Sequence, residues 1–528
     1  MSRCCGVTSL HDKTRRDMAS CMNRAAFERV VFVPGSQLRY FLADVARGLR
    51  SRHRSRIYAA CANENLRKFY TNLDASLFYG LEVLNLHEAR VGRLPNADEI
   101  VAKARSHEQI LGTSYNTLAL ANRHFGHGYA LGGFGHPRSR YSEEVGLLAM
   151  LDHYNRYFDA WHALIERFRP TLIVGGAKAD ACIARAFQIP YRSVIGSRYE
   201  NLHYWCTNEY YETHEFAEEF RLLQNASVNQ DLARPYLVER VHRAHFERSS
   251  GIVGLSRALG RKLLQRAYWR VRRYEKAKGY YAAEELKYIY RRWRDSRAMQ
   301  GRGSRYKLVN LADVQKLPFV FYPLHTEPET SVGQASPEYF SQLTAIASLS
   351  RDLPAGVLLA VKETIHGVGR RPRDFYAQIV DLKNVVLLDM MEYGVNVVQK
   401  ATATATITGT AGFEAAVAGK PVITFGRHNN YNVIPHVFQV AEETQLAHHV
   451  SHIFGRGIEY EKARQDGARY LQAVINRSFD MGEYDYVDLQ RYAAESVEAA
   501  TDALERSLSE PAATSRKAQA GVVSVAMQ

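Results

Sequence analysis

Cysteine is sparse, and where it occurs it forms no pattern. The six cysteines, Cys4, Cys5, Cys21, Cys61, Cys182 and Cys206, show neither the paired spacing of a zinc site nor a CxxC redox motif. A disulfide framework is therefore not expected, and a reducing cytosol fits best. Long apolar runs are missing as well, since no stretch approaches the ~20 residues that span a bilayer. Met1–Ala26 carries Arg3, Lys13, Arg15 and Arg16 but lacks the continuous apolar segment of a secretory signal. These absences lead us to expect a cytoplasmic protein, soluble or peripheral to the inner membrane. Acidic residues are outnumbered: 69 Lys and Arg against 55 Asp and Glu give a net charge of +14. That excess points to an acidic partner, which charge alone leaves open between nucleic acid, a membrane surface and phosphorylated substrates.

What is present is ordinary globular material, 46% hydrophobic and 23% charged over 528 residues. This length exceeds what one core supports, so two domains are expected. The pattern divides into a flexible segment 1–28, an N-terminal α/β domain 29–239, a basic helical connector 240–317, a C-terminal Rossmann-like domain 318–508 and a disordered tail 509–528. In the first half, Val30–Val33 runs through Pro34-Gly35-Ser36-Gln37 into a helical pattern, and Arg56–Cys61 follows as a strand. Leu73–Ala89 fits neither period, a helix is expected over Asn96–Ser106, and a long one over Ser142–Phe168. Leu172–Val174 then breaks at Gly175-Gly176-Ala177-Lys178 into a second strand-glycine-helix unit. In the connector, Arg261, Lys262, Arg266 and Arg270 lead on to Arg291, Arg292, Arg294, Arg297 and Arg305, interleaved with Tyr268, Trp269, Tyr290 and Trp293. Two readings of 261–305 stand beside each other: solvated interdomain helices, or a surface for anionic lipid headgroups or nucleic acid.

The most informative stretch is Ala403–Asn430. A small, β-branched strand breaks at Thr408-Gly409-Thr410-Ala411-Gly412 into helical spacing, and Gly419 and Pro421 lead to a second strand at Val422–Phe425. This is a β-turn-α-turn-β unit whose first helical N–H groups have no partner within the helix, an arrangement that attracts phosphate. Thr408 and Thr410 offer hydroxyls, and Glu414, one turn in, suits a ribose or sugar hydroxyl. The other reading makes Thr410 an N-cap and Glu414 a first-turn carboxylate favoured by the helix dipole. From Phe319 onward strands and helices alternate, with a helix expected over Pro337–Ser350 and Ser336 as its cap. Four strand-end loops then converge on one sheet edge: Tyr322–Glu329, Val361–Gly367, Thr408–Glu414 and Gly426–Tyr431. Asn429 in the last of them joins the candidate donor site.

The YPLHTEPE segment at Tyr322–Glu329, the VKE of Val361–Glu363 followed by GVGRRP at Gly367–Pro372, and TITGTAGFEAAVAGKPVITFG at Thr406–Gly426 carry a resemblance. Phe319–Val440 resembles the bacterial capsule and surface polysaccharide biosynthesis proteins that include Kdo transferases of the GT-B fold. The N-terminal half follows in pattern, with Gly196-Ser197-Arg198-Tyr199 a faint echo. The resemblance implies an α/β, GT-B-like chain of two Rossmann-like doubly wound domains facing a cleft. It implies a glycosyltransferase that passes a sugar from a nucleotide-activated donor, CMP-linked or other, to a glycan or lipid-linked acceptor, with no nucleic acid partner, no further cofactor and no obligatory metal. In line with the last point, no Asp-x-Asp motif occurs. Where the family reads Lys-Glu-His-Pro, this chain reads Lys362-Glu363-Thr364-Ile365, with His366 next.

On this reading Lys362, His366, Thr408, Gly409, Thr410, Gly412, Glu414 and Asn429 hold the donor. Glu329, Glu327 and His325 are the candidate general bases, followed by Glu363 or a group from the N-terminal domain. Two other classes remain open from sequence: a related nucleotide enzyme, such as a sugar-nucleotide epimerase or CDP-alditol phosphotransferase, and a non-catalytic basic scaffold.

Overall fold

The computed structural model describes residues 25–35, 37–85, 89–90, 94, 96–122, 145–230, 251–271, 285–299, 306–327, 330–372, 374–485 and 488–509. Expectations for the flexible start, the disordered tail and Glu329 therefore fall wholly or mostly outside the described residues.

Two separate sheets form the frame. The first contains β1 (Arg29–Val33), β2 (Arg56–Cys61), β3 (Gly80–Val83), β4 (Leu172–Gly175), β5 (Tyr191–Gly196) and β6 (Leu202–Cys206). The second contains β7 (Phe319–Pro323), β8 (Leu358–Lys362), β9 (Val385–Leu388), β10 (Ala403–Thr406), β11 (Val422–Thr424) and β12 (Val437–Gln439). The second sheet is parallel throughout, in the order β12-β11-β10-β7-β8-β9. In the first, β3-β2-β1-β4-β5 is parallel and β6 adds to β5 antiparallel. In each sheet the chain builds outward in one direction, then crosses over to extend the other side. The order therefore reverses between β1 and β4 and between β7 and β10, and such reversals open a crevice at the strand ends where ligands bind. The runs Val30–Val33 and Ala403–Thr406 are buried, as strands covered on both faces must be.

One boundary differs from expectation. The C-terminal domain does not run to 508, because β13 (Phe479–Asp480) joins the edge of the first sheet, antiparallel to β6. The helix Ala494–Ser509 then lies on that sheet beside the helix Arg39–His53. Apolar packing drives the return: Phe479, Met481, Tyr484, Ala500 and Leu504 are buried in one cluster with Phe41, Val45 and Trp205. Polar ties accompany it, with Trp205 Nε1 donating to Ala500 O at 2.8 Å and Tyr492 donating to Asp44 at 2.6 Å.

Two other differences have local causes. The helix expected over Pro337–Ser350 splits into a 3₁₀ turn at Pro337–Tyr339 and an α-helix at Gln342–Asp352. The break leaves the amide of Gln342 free to donate to the Glu327 carboxylate, which covers the start of the α-helix. The long N-terminal helix begins at Leu147 rather than Ser142, with Gly146 as its N-cap, and Ser142 lies outside the described residues. Leu73–Ala89, which fitted neither period, holds a 3₁₀ turn at Ala75–Leu77 followed by β3.

Because the C-terminal segment completes the first core, Phe479→Ala should cost about 3 to 5 kcal/mol. In calorimetry with separate transitions for the two sheets, the loss should fall on the N-terminal one; a shift confined to the other would contradict this assignment.

Candidate functional site

The segment after β10 folds as a strand, a tight turn and a helix, and its first turn differs from the sequence reading. Gly409, not Thr410, is the N-cap of the helix Thr410–Val417, and no side chain caps it. Thr410 is exposed, and the amides of Thr410 and Ala411 are at the first two helical positions, where no intrahelical acceptor exists. Gly409 and Gly412 serve close packing. A Cβ on Gly409 would meet Thr406 Oγ1 at 2.6 Å, and one on Gly412 would meet Thr406 Cγ2 at 2.4 Å and the Tyr431 hydroxyl at 2.7 Å. The Gly409 amide donates to Thr406 Oγ1 at 2.9 Å and the Thr408 amide to His325 Nε2 at 3.0 Å. The Thr408 hydroxyl is buried and has no partner, the situation expected of a group that awaits a ligand or water.

His325 braces this turn. Its Nε2 lone pair faces the Thr408 amide, so the neutral ring carries its proton on Nδ1. Burial, followed by the nearby Arg198 and Arg371, pushes its pKa down to about 3. The Nε2 lone pair is thus engaged by the Thr408 amide, and burial disfavours the charged ring.

Glu327 is held just as firmly. Arg371 NH1 donates to it at 2.8 Å and Gln342 Nε2 at 2.5 Å, while burial raises its carboxyl pKa despite the arginine. Arg371 also bridges to Glu363 through Nε at 2.7 Å and NH2 at 2.9 Å, and Tyr376 donates to Glu363 at 2.7 Å. Arg371 and Glu363 side chains are fully buried. The carboxylates proposed as bases from the loops after β7 and β8 are thus internal braces. Glu329 lies outside the described residues.

The remaining sequence candidates separate by position. Thr408 and Asn429 line the cleft cavity, although Asn429 Nδ2 is occupied by Ile407 O at 2.7 Å and Gly426 O at 3.1 Å. Gly409, Thr410, Gly412 and Glu414 share the same helix start, with Glu414 half-buried. Lys362 is buried at the end of β8, and His366 is exposed on the turn beyond it. Neither lines the cavity.

Sequence reasoning passed over the groups that the N-terminal domain brings across the cleft. Arg198, in the left-handed region at φ 72, donates through NH1 to Gly409 O at 3.1 Å and lies over the Tyr431 ring. Glu212 accepts from His428 Nδ1 at 3.0 Å, and Tyr210 stacks on the same imidazole with ring centroids 3.7 Å apart. Asn430 receives the Thr213 amide at 3.0 Å and donates to the Tyr204 hydroxyl at 3.0 Å. Lys178, beyond the Gly175-Gly176 turn, is buried, and its ammonium donates to Gly333 O at 3.2 Å and Gln334 O at 3.4 Å. Burial draws the Lys178 pKa down to about 8. The hints in the sequence were the faint family echo at Gly196–Tyr199 and the strand-glycine-helix break at Gly175–Lys178.

Between these groups lies a cavity of ≈ 60 Å³, room for a few waters. None of the described residues lining it is an acid, while Arg198 and the open helix start bring positive charge to one place. The described residues contain no cluster of histidine, cysteine and carboxylate groups suited to a metal.

Residues 258–434 match the family model for the capsule polysaccharide biosynthesis protein. That segment resembles the capsule-synthesis family. It covers the β7–β11 unit, the Glu327–Arg371–Glu363 brace and the helix start at Gly409. Solved structures with a likeness to the chain include the β-Kdo 2,7-transferase KpsC of Thermosulfurimonas dismutans, at 12% identity over 66% of this chain and 89% of that one with a TM-score of 0.29. Anabaena HepE in complex with UDP and glucose has 12% identity over 89% and 100%, TM-score 0.25. The UDP-GlcNAc 2-epimerase of Neisseria meningitidis bound to UDP-GlcNAc has 12% identity over 85% and 98%, TM-score 0.25. No curated protein matches the chain. The fold assignment for the capsule-synthesis segment and its N-terminal counterpart rests on the two strand orders.

The depressed His325 pKa has a measurable consequence. With a folded value below the ordinary ~6.5, the unfolded chain binds more protons in between, so this contribution is complete above pH ~6.5 and is lost as pH falls toward 3. Over that window wild type should lose about 1.4 kcal/mol per pH unit more than His325→Gln, which keeps an acceptor for the Thr408 amide. Urea unfolding of both proteins across the window checks this, and parallel profiles would contradict it.

Proposed function

We propose that the protein is a glycosyltransferase of capsule polysaccharide biosynthesis, passing a sugar from a nucleotide-activated donor to a glycan or lipid-linked acceptor at the cleft between the two sheets. One observation carries the proposal: an uncapped helix start, whose N-cap carbonyl accepts from Arg198 of the opposite domain, lies beside a cavity with no acid among its described lining residues. Such a place suits the phosphates of a nucleotide sugar, because helix-end amides and a guanidinium stabilise the charge that develops on the leaving group. The capsule-family match over residues 258–434 supports the biological setting.

In this reading the Thr410 and Ala411 amides and the Thr408 hydroxyl hold the phosphates, and Glu414 accepts from a ribose or sugar hydroxyl. Arg198 closes over them and so makes the site depend on both domains. The base is the His428 imidazole, which Glu212 orients through Nδ1, leaving Nε2 to take the acceptor's proton. Because the cavity holds only a few waters, the domains must part for substrate to enter and close again for transfer, a hinge motion usual for such pairs.

Thermal stabilisation by CMP, CDP, UDP and GDP tests the reading, since a ligand of the native state raises apparent stability. One of them should raise the melting temperature of wild type. Glu414→Gln should weaken its binding by about 1 to 2 kcal/mol with the fold intact, and Thr408→Val should weaken it too. With the corresponding sugar nucleotide, His428→Gln should bind normally and turn over slowly. No stabilisation of wild type by any nucleotide would overturn the proposal. Unchanged affinity with a lower melting point in Glu414→Gln would return that residue to a helix-dipole role.

A further inference from the structure

The two described helices of the basic connector have different surroundings. Glu285–Ala298 is docked on the C-terminal domain: a Cβ on Gly369 would lie 2.6 Å from Arg292 Cα, Asp295 and Ser296 are buried, and Met299 belongs to the second sheet's core. It behaves as a structural connector. The helix Ile252–Val271 packs chiefly against Glu285–Ala298 and presents its other side outward.

That outward side carries large apolar groups in water. Val253 is 72% exposed, Leu264 74% and Val271 82%, and the helical period places the three in one line. Arg257, Arg261 and Tyr268 flank this line on one side, and Ile252, Leu263 and Arg270 on the other. No aspartate or glutamate occurs between Ile252 and Val271. A solvated helix face has no reason to expose a leucine and two valines in a line, and exposed apolar patches rimmed by polar groups mark interaction sites. A protein partner would need acids placed opposite each arginine. A bilayer with anionic headgroups needs no such match: the apolar line enters the interface while the arginine stems reach back to the headgroups.

We infer that the helix Ile252–Val271 is a membrane-surface element that lies on an anionic bilayer through Val253, Leu264 and Val271, held by the flanking arginines. This is independent of the proposed chemistry at the cleft. It narrows the basic region to its outer helix and assigns the inner helix to the fold. None of the described helices is long and apolar enough to cross a membrane, so contact here is with the surface.

Sedimentation of the full chain with vesicles tests it, comparing phosphatidylcholine alone with phosphatidylcholine containing phosphatidylglycerol, at low salt. The chain should be recovered with the anionic vesicles only. Arg257→Ala and Arg261→Ala should each weaken binding about fivefold, which is about 1 kcal/mol per arginine. Leu264→Asp should abolish it at an unchanged melting temperature, since that side chain touches little of the fold. Equal recovery on neutral and anionic vesicles, recovery on neither, or wild-type binding by Leu264→Asp would overturn the inference. So would self-association that Leu264→Asp breaks without any vesicle binding, which would assign the face to a second copy.

Discussion

The site depends on one buried cation. Arg371 sits between Glu327 and Glu363 with its side chain fully excluded from water, and burial alone would lower its pKa. The two carboxylates outweigh that penalty and raise it instead. Through NH2 it also holds His325 O at 2.5 Å, and so joins the loop after β7 to the loop after β8. His325, fixed in this way, presents Nε2 to the Thr408 amide and sets where the helix at Gly409 begins. An ion group this deeply buried is weak evidence for net stability, since apolar replacements are often as stable, but removing one member would leave a stranded charge. Its use here is positional: three loops of one sheet edge are locked so that an uncapped helix start points into the cleft.

The N-terminal domain meets that edge with residues of its own. Arg198 reaches the N-cap carbonyl of Gly409, Glu212 takes the His428 imidazole, and Lys178 binds the carbonyls that end the helix Thr330–Ala335. All three come from segments beyond strand ends of the first sheet. Both crossover points therefore contribute to one seam, and the return of the chain at Phe479 ties the two domains a second time. Burying positive charge along this seam has a cost, most plainly at Lys178, whose ammonium donates to two carbonyls and to no carboxylate among the described residues. An anionic ligand would relieve that cost.

Much of the architecture was legible in the sequence, because buried parallel strands write themselves as short β-branched runs that break at glycine. Val30–Val33, Leu172–Val174 and Ala403–Thr406 emerged in this way. The return strand was not, since two residues at Phe479–Asp480 carry no period and only the distant cluster around Phe41 and Trp205 gives them a place. The candidate site was legible in part. Thr408–Gly412 stood out as an open helix start, and only the alternative that made Thr410 its cap placed that cap one residue late. Motif residues that look chemical, His325, Glu327 and Glu363, turn out to brace one another, because sequence shows the type of a side chain and not whether its lone pairs are already occupied. Arg198 and Glu212 were missed for the converse reason: their meaning comes from the opposite domain.

The central claim is that the helix start after β10 and Arg198 together form an anion site between the domains. A crystal structure of the protein with the nucleotide that stabilises it most tests this directly. The account predicts a phosphate within hydrogen-bond distance of the Thr410 and Ala411 amides and of the Arg198 guanidinium. A nucleotide whose phosphates lie elsewhere, with that helix start still open, would contradict it.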